Sequence, residues 1–286
     1  MKEFCKKVYH DVYQETKRNL EDKENASRNS ETRMNEIEAA AQKEAIKQSI
    51  IQTMKQFPNN DVAEIWKTIY EVHIHRKSGI DDSFVIQNVI SADQSWKKSS
   101  GHAFEEMVKV LANDCFKDDN IEVILQRDLN ILIKADEIAN EPRDISWLKE
   151  QIKEQVFDLY AIVRHEGKRY CFGCIQCKTS IRDRVTRDRE PSLHAMQSFF
   201  WSVAIVLDGS FLKLPKFITM VNGGGNEHQI NGWHGLYVFS DEKPVGRIYH
   251  TNLELDVFKQ HAIIASTFWL KQRQWLDITF DAEKLE

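Results

Sequence analysis

The stretch that decides the fold is Val156–Glu190, VFDLYAIVRHEGKRYCFGCIQCKTSIRDRVTRDRE. VFDLYAIV and YCFGCIQCK are short and rich in β-branched and aromatic residues. His165-Glu166-Gly167-Lys168 lies between them and reads as a turn, which is the pattern of a β-hairpin. Side chains alternate across a strand, so Asp158, Tyr160 and Ile162 share one side, and Gln176 and Lys178 share a side. In a suitable register Asp158 and Lys178 meet. A buried carboxylate facing a buried ammonium is costly unless the two pair or bind a metal.

Phosphodiester hydrolysis gives such a pair a use. A carboxylate holds Mg²⁺, the metal polarises the phosphate and acidifies a bound water, and a lysine orients or helps deprotonate that water. Mg²⁺ takes one or two carboxylates and fills its shell with waters and phosphate oxygens, so Asp158 and Glu190 suffice. An ordinary cross-strand ion pair accounts for Asp158 and Lys178 equally well. The next residues favour the nuclease. Arginine grips guanine O6 and N7 in the major groove and aspartate accepts from cytosine N4, so Arg182, Asp183 and Arg184 are apt readers of G·C pairs. Thr179 or Ser180 could cap a helix beginning here. A solvated charge run is the alternative reading; the start of the run four residues after Lys178 speaks for base reading.

In this order the motifs resemble the PD-(D/E)xK superfamily of type II restriction endonucleases, and within it the branch that recognises sites containing CCGG. That branch loses the acid two residues before the lysine and supplies one further on. Here Gln176-Cys177-Lys178 is followed, twelve residues after the lysine, by Glu190. Arg182-Asp183-Arg184 matches the branch's Arg-(Ser/Asp)-Arg reader, and SSGHAFEEMVKVLAND and NEPRDISWLKEQI extend the likeness over residues 60–280. Phe157 departs from the superfamily pattern, which often has proline there. The resemblance implies an α/β fold with a mixed central sheet flanked by helices. It implies Mg²⁺-dependent cleavage of double-stranded DNA at a palindromic site with a CCGG core, leaving 5′ overhangs. A palindrome calls for a homodimer, one centre per strand; a higher oligomer built on that dimer stays open. The resemblance also implies that an acid from the first core helix approaches the centre and helps hold metal. Glu105 is the candidate and Glu106 the alternative, although a surface position is the common fate of either.

The net charge of −5 argues against general adhesion to nucleic acid. Phosphate contacts need only a local excess, and residues 178–189 carry Lys178, Arg182, Arg184, Arg187 and Arg189 against Asp183 and Asp188. No apolar run is long enough to span a membrane, and MKEFCKKVYHDVY lacks the apolar stretch of a signal peptide. Five cysteines, an odd count, suit a reducing cytoplasm. On a strand, Cys171 and Cys177 face one way and Cys174 the other, so three thiolates do not converge on a metal.

Residues 1–95 are predicted to form a helical N-terminal region serving dimerisation, DNA contacts or both, and residues 96–286 the catalytic domain. LEDKENASRNSETRMNE is a polar break. The following helix sets Ile37, Ala40, Ala41, Ala45, Ile46, Ile50 or Ile51, and Met54 near one face, a stripe that needs a partner in this chain or in a second subunit. Pro58-Asn59-Asn60-Asp61 caps a helix with Ile65, Ile69 and Val72 inward; His73 and His75, two apart, diverge on it. DDSFVIQNVISA is expected as a short helix, and a separate helix opens at Ser100 with Phe104, Met107, Val108 and Leu111 inward. IEVILQ and LNILIKA are expected as strands, and Asn140–Asp144 as a turn into the helix ISWLKEQI. PSLHAMQSFFWSVAIVL is expected as one buried helix with Pro191 its first residue. PKFITMVNGGG, WHGLYVFSD and GRIYHTN are expected as strands, and LDVFKQHAIIASTFWLKQRQWLD as a closing helix. Gly223-Gly224-Gly225 lacks the Lys-Ser/Thr of a phosphate loop and reads as a loop near DNA.

The leading function is therefore a site-specific, Mg²⁺-dependent DNA endonuclease. A less specific nuclease of the same superfamily, such as a junction resolvase, has no need of Arg182-Asp183-Arg184. A DNA-binding regulator with a vestigial centre would bind without cutting.

Overall fold

The β2–β3 hairpin, Leu159–His165 and Lys168–Ser180, lies near the middle of a six-stranded mixed sheet. The structure is a computed structural model and describes residues 1–23, 31–58, 62–80, 82–180, 185–208, 214–239 and 245–284. Strand order follows the chain: β1 (Ile121–Leu125), β2, β3, β4 (Trp201–Asp208), β5 (Gly235–Val238) and β6 (Ile248–His250). The pairs β1–β2 and β2–β3 are antiparallel, and β3 through β6 are parallel. The hairpin turns on Glu166 and Gly167, both at positive φ (49° and 76°). Two such residues make the turn whose twist matches that of the flanking strands.

Helices cover both faces of the sheet. On one face Phe104, Val108 and Ala112 of α4 (Ser83–Cys115) and Phe258, Ala262 and Ala265 of α9 (Asp256–Gln272) pack on Val123, Ala161, Ile175, Val203 and Ile205. On the other, α5 (Gln126–Lys134) and α6 (Pro142–Glu154) supply Leu129, Ile133 and Leu148 against Ile124, Tyr160, Ile162 and Cys174. Farther along that face, α8 (Pro215–Asn222) sets Phe217, Met220 and Val221 on Ala204, Val206 and Leu236. Val203 and Ile205 facing one way and Ala204 and Val206 the other is the two-residue alternation of a strand buried on both sides.

Four expected elements differ. LNILIKA belongs to helix α5, with Leu129 and Ile133 buried one turn apart and Ile131 64% exposed. The expected buried helix from Pro191 divides into α7 (Val185–Gln197), with Pro191 inside it, and strand β4. A run apolar on all sides suits a central strand as well as a buried helix. PKFITMVN is helix α8, opened by Pro215. Residues 83–115 form one helix where two were expected. Apart from its chain neighbours and the backbone of its own helix, nothing lies within 4 Å of where a Cβ on Gly101 would stand, and an isolated helical glycine costs only about 1 kcal/mol. Thr179 and Ser180 end β3 and do not begin a helix.

The chain divides into two compact units, Met1–Trp96 and Lys97–Glu286. In the first, Cys5, Tyr9 and Tyr13 of α1 (Lys2–Lys23) pack with Ala41 and Ala45 of α2 (Glu31–Gln56) and with Ile65, Ile69 and Val72 of α3 (Val62–Ser78). The buried line of α2 is Ala41, Ala45, Ser49 and Thr53, and Ile51 and Met54 of the expected stripe are about 40% exposed. Thr53 Oγ1 lies 3.2 Å from Cys5 Sγ, and a small-residue line lets α1 approach closely. Residues Asn59, Asn60 and Asp61 of the expected cap lie outside the described residues. Among the described residues no helix is long and apolar enough to cross a membrane.

His234 ties β4 to the C-terminal segment. Its Nδ1 accepts the Ser202 backbone N–H (3.0 Å), so its Nε2–H donates to the Asp277 carbonyl (2.7 Å). Burial holds the imidazole neutral and pushes its pKa down to about 3. Above the unfolded value of 6.5 neither state is protonated there. Below it the unfolded chain gains a proton that the native chain refuses, so stability should fall by up to about 1.4 kcal/mol per pH unit toward the folded pKa. Urea unfolding between pH 7 and pH 5 should show that loss, and His234→Gln should flatten it; an unchanged slope would remove His234 as the source.

Candidate active site

Asp158 stands at the entry to β2, where its backbone N–H donates to the Ile175 carbonyl (3.1 Å). Leu159 then pairs with Ile175, and this register lays Asp158 alongside the end of β3. Asp158 Oδ2 accepts two hydrogen bonds, from the Cys177 backbone N–H (2.7 Å) and from Lys178 Nζ (3.1 Å). The two side chains are 19% and 17% exposed. Burial works to discharge Lys178, but the carboxylates of Asp158 and Asp188 and the hydrogen bond to Asp158 outweigh it. The ammonium pKa therefore lies above its ordinary value, and Lys178 is a cation at neutral pH.

Glu105 joins this pair from α4. Its side chain is 20% exposed and its Oε2 lies 3.3 Å from His102 Nδ1. Burial, and then the Asp158 carboxylate, push its pKa up against the opposing influence of His102 and Lys178. Glu106 faces elsewhere: it pairs with Arg127 (2.7 Å) and Lys109 (3.8 Å), so the alternative candidate is a surface residue. Asp158, Lys178 and Glu105 are thus brought together.

The described contacts do not bring Glu190 to them. It lies on the exposed side of α7, in a groove of about 700 Å³ lined also by Val156, Arg187, Trp147 and His194. The α7 acid that acts on Lys178 is Asp188, which sequence reasoning passed over. Its signal was weak, an aspartate inside a charge run. Arg182, Asp183 and Arg184 lie outside the described residues. The cysteine pattern needs correction. A bulge opposite Ala161/Ile162 shifts the register, so Cys171 and Cys174 both enter the core under α5 and α6 while Cys177 faces α4. One extra residue in a strand reverses the faces beyond it.

No group of three or more His, Cys, Asp or Glu able to hold a metal occurs among the described residues. Two carboxylates are nevertheless a sufficient protein share for Mg²⁺, and Asp158 and Glu105 are two that feel each other's charge. The hard oxygen donors fit a divalent cation of that type.

A family model described as BsaWI restriction endonuclease type 2 matches residues 138–275, which hold the whole hairpin and α7. The crystal structure of the pre-specific restriction endonuclease BsaWI–DNA complex is 53% identical to the chain. The match covers 99% of this chain and 98% of that one, with a TM-score of 0.80. The chain belongs to the BsaWI family of type II restriction endonucleases. It is a type II site-specific deoxyribonuclease that cleaves DNA in a sequence-specific manner. The crystal structure of the specific restriction endonuclease AgeI–DNA complex also matches, at 14% identity over 91% of each chain with a TM-score of 0.44. No curated protein matches. Glu105 precedes the region that the BsaWI-family model matches, but lies within the structural match.

Neutralising the hairpin acid tests the cluster. Asp158→Asn should lower the pKa of Lys178, because burial would then be opposed mainly by Asp188, and should also lower the pKa of Glu105. An NMR titration of the two side chains reads both shifts, and two unmoved values would place the groups apart.

Proposed function

We propose that this BsaWI-family enzyme binds duplex DNA as a homodimer and, with Mg²⁺, cuts both strands of a palindromic site with a CCGG core, leaving 5′ overhangs. The observation that carries the reading is the Lys178 Nζ–Asp158 Oδ2 contact of 3.1 Å with Glu105 beside it. The 53% identity to BsaWI, solved in complex with DNA, supports the choice of substrate.

Asp158 and Glu105 would hold the cation. Bound there, it polarises the scissile phosphate and acidifies an attacking water. The residues of the chain do the rest. The Cys177 N–H and the Lys178 ammonium both donate to Asp158 Oδ2, which fixes the carboxylate's orientation. The Lys178 ammonium, kept charged by its neighbours, orients the water and balances charge gathering on the phosphate oxygens. Glu190 would be the third acid; it shares a groove with Val156, two residues before Asp158. Arg182, Asp183 and Arg184 would read G·C pairs, and the N-terminal helices would join subunits or contact DNA.

Incubation with mixed-sequence duplex DNA and Mg²⁺, followed by sequencing of the ends, should yield discrete 5′-overhang ends at one CCGG-containing motif. Lys178→Ala should abolish the ends while a gel shift persists. Dispersed ends would favour a less specific nuclease, intact DNA a non-catalytic binder, and cutting by Lys178→Ala would contradict its role.

Arg182→Ala should cost about 1–3 kcal/mol of discrimination at one base pair, the size of a bidentate contact. Competition binding against single-base variants measures it. Equal loss on all sequences would make Arg182 a phosphate contact.

A further inference from the structure

Gln176 occupies the position two residues before the lysine, where the usual pattern of the superfamily has an acid. It is 1% exposed, and both ends of its amide are engaged. Nε2 donates to the backbone carbonyl of Asp188 (2.9 Å), and Oε1 accepts the indole N–H of Trp233 (2.8 Å). Trp233 is fully buried, and its carbonyl accepts from Asn231 Nδ2 (3.0 Å). A buried amide with a carbonyl at one end and an N–H at the other fits only one way round. A carboxylate in its place would set a bare oxygen against the Asp188 carbonyl, leaving two buried acceptors face to face without a donor.

The next residue of α7 is tied down as well. Arg189 donates from Nε to the Met220 carbonyl (3.1 Å) and from Nη2 to the Ile230 carbonyl (2.7 Å). The backbone at Gly232 comes so close that a Cβ there would lie 2.6 Å from the Met220 carbonyl oxygen and 3.0 Å from Arg189 Cγ. One turn on, the hydroxyls of Ser192 and Ser202 meet at 2.7 Å in a fully buried contact between α7 and β4. Of these ties, only the one through Gln176 runs to the strand that carries Lys178. Asp188, whose carbonyl it grips, also presents its carboxylate to Lys178, and one oxygen of that carboxylate is shielded from solvent.

We propose that Gln176 is a positioning residue for DNA cleavage: through the Asp188 carbonyl and the Trp233 indole it locks the first half of α7 in register with Lys178, so that Asp188 stands at a fixed place beside the strand that carries Lys178. The proposal rests on the nuclease reading above. Gln176 itself touches no substrate and acts through the backbone of α7. In this chain, loss of the usual acid and delivery of an acid by α7 are two sides of one arrangement, because the side chain that replaces the acid holds the helix.

The test uses the full-length enzyme with Gln176→Glu, Gln176→Leu and Trp233→Phe, the last keeping an aromatic ring and losing the indole N–H together with its five-membered ring. Three quantities are read for each: the single-turnover cleavage rate on the wild-type site with Mg²⁺, DNA affinity without metal, and amide hydrogen exchange across residues 185–197 in metal-free protein. We expect the cleavage rate of the Gln176 variants to fall by on the order of tenfold to a hundredfold, the scale of a small misplacement of a reacting group. DNA affinity should hold, and exchange in the first half of α7 should quicken. Trp233→Phe should shift rate and exchange the same way by less, and it carries the test if a Gln176 variant fails to fold. Variants that melt earlier but cut at the wild-type rate well below their melting temperature would overturn the proposal, leaving Gln176 a tie for stability alone. Rate loss matched by equal loss of affinity would overturn it too. A wild-type enzyme that cuts no duplex would bring down the nuclease reading and this proposal together; wild-type cutting beside unimpaired variants would bring down this proposal alone.

Discussion

The ion pair between Asp158 and Lys178 is the constraint on which the rest of the catalytic unit depends. It joins the entry of β2 to the end of β3, so it exists only in one register of the hairpin. A slip of one residue would turn Lys178 toward the α4 face and leave Asp158 without its cation. The Glu166-Gly167 turn at one end of the pairing and the bulge at Ala161/Ile162 in its middle hold that register. The sheet, buried by helices on both faces, gives neither strand room to slide.

Around the pair, charges of both signs share a largely buried site. Burial alone would lower the pKa of Lys178 and raise that of Glu105. Asp158 keeps the first charged and makes the second harder to ionise. Such an arrangement carries excess negative potential where a divalent cation and a phosphate would arrive, with one fixed ammonium to receive the phosphate oxygens. The three groups come from α4, the β2 entry and β3, so the cluster is a product of how α4 packs against the sheet as much as of the hairpin.

Polar ties do what apolar packing cannot around this centre. Apolar contacts resist separation but tolerate sliding. Gln176 between Asp188 and Trp233, Arg189 on two carbonyls and His234 between Ser202 and Asp277 each fix a direction, because donor and acceptor must face one another. The first two join α7 to β3, to α8 and to the loop running from Gly223 to Trp233, and the third joins β4 to the C-terminal segment. Helix α7, whose Asp188 charge acts on Lys178, carries that kind of restraint.

Local chemistry along the chain determined the hairpin, put Asp158 and Lys178 where one register lets them meet, and, with the family resemblance, made Glu105 of the first core helix the candidate acid. Each follows from strand alternation, turn residues and a family pattern written in consecutive positions. Mixed sheet and flanking helices were legible for the same reason. Tertiary structure alone decided the rest. LNILIKA and PKFITMVN became helices and WSVAIVL a strand because short apolar runs carry no period that separates the two, and burial on one face or both makes the choice. A bulge reversed the side of Cys171, and of the α7 acids it is Asp188 whose charge acts on Lys178. Which face of a helix looks inward is fixed by what packs on it, and Gln176, Arg189 and Trp233 come from segments too far apart in the chain for spacing to connect them.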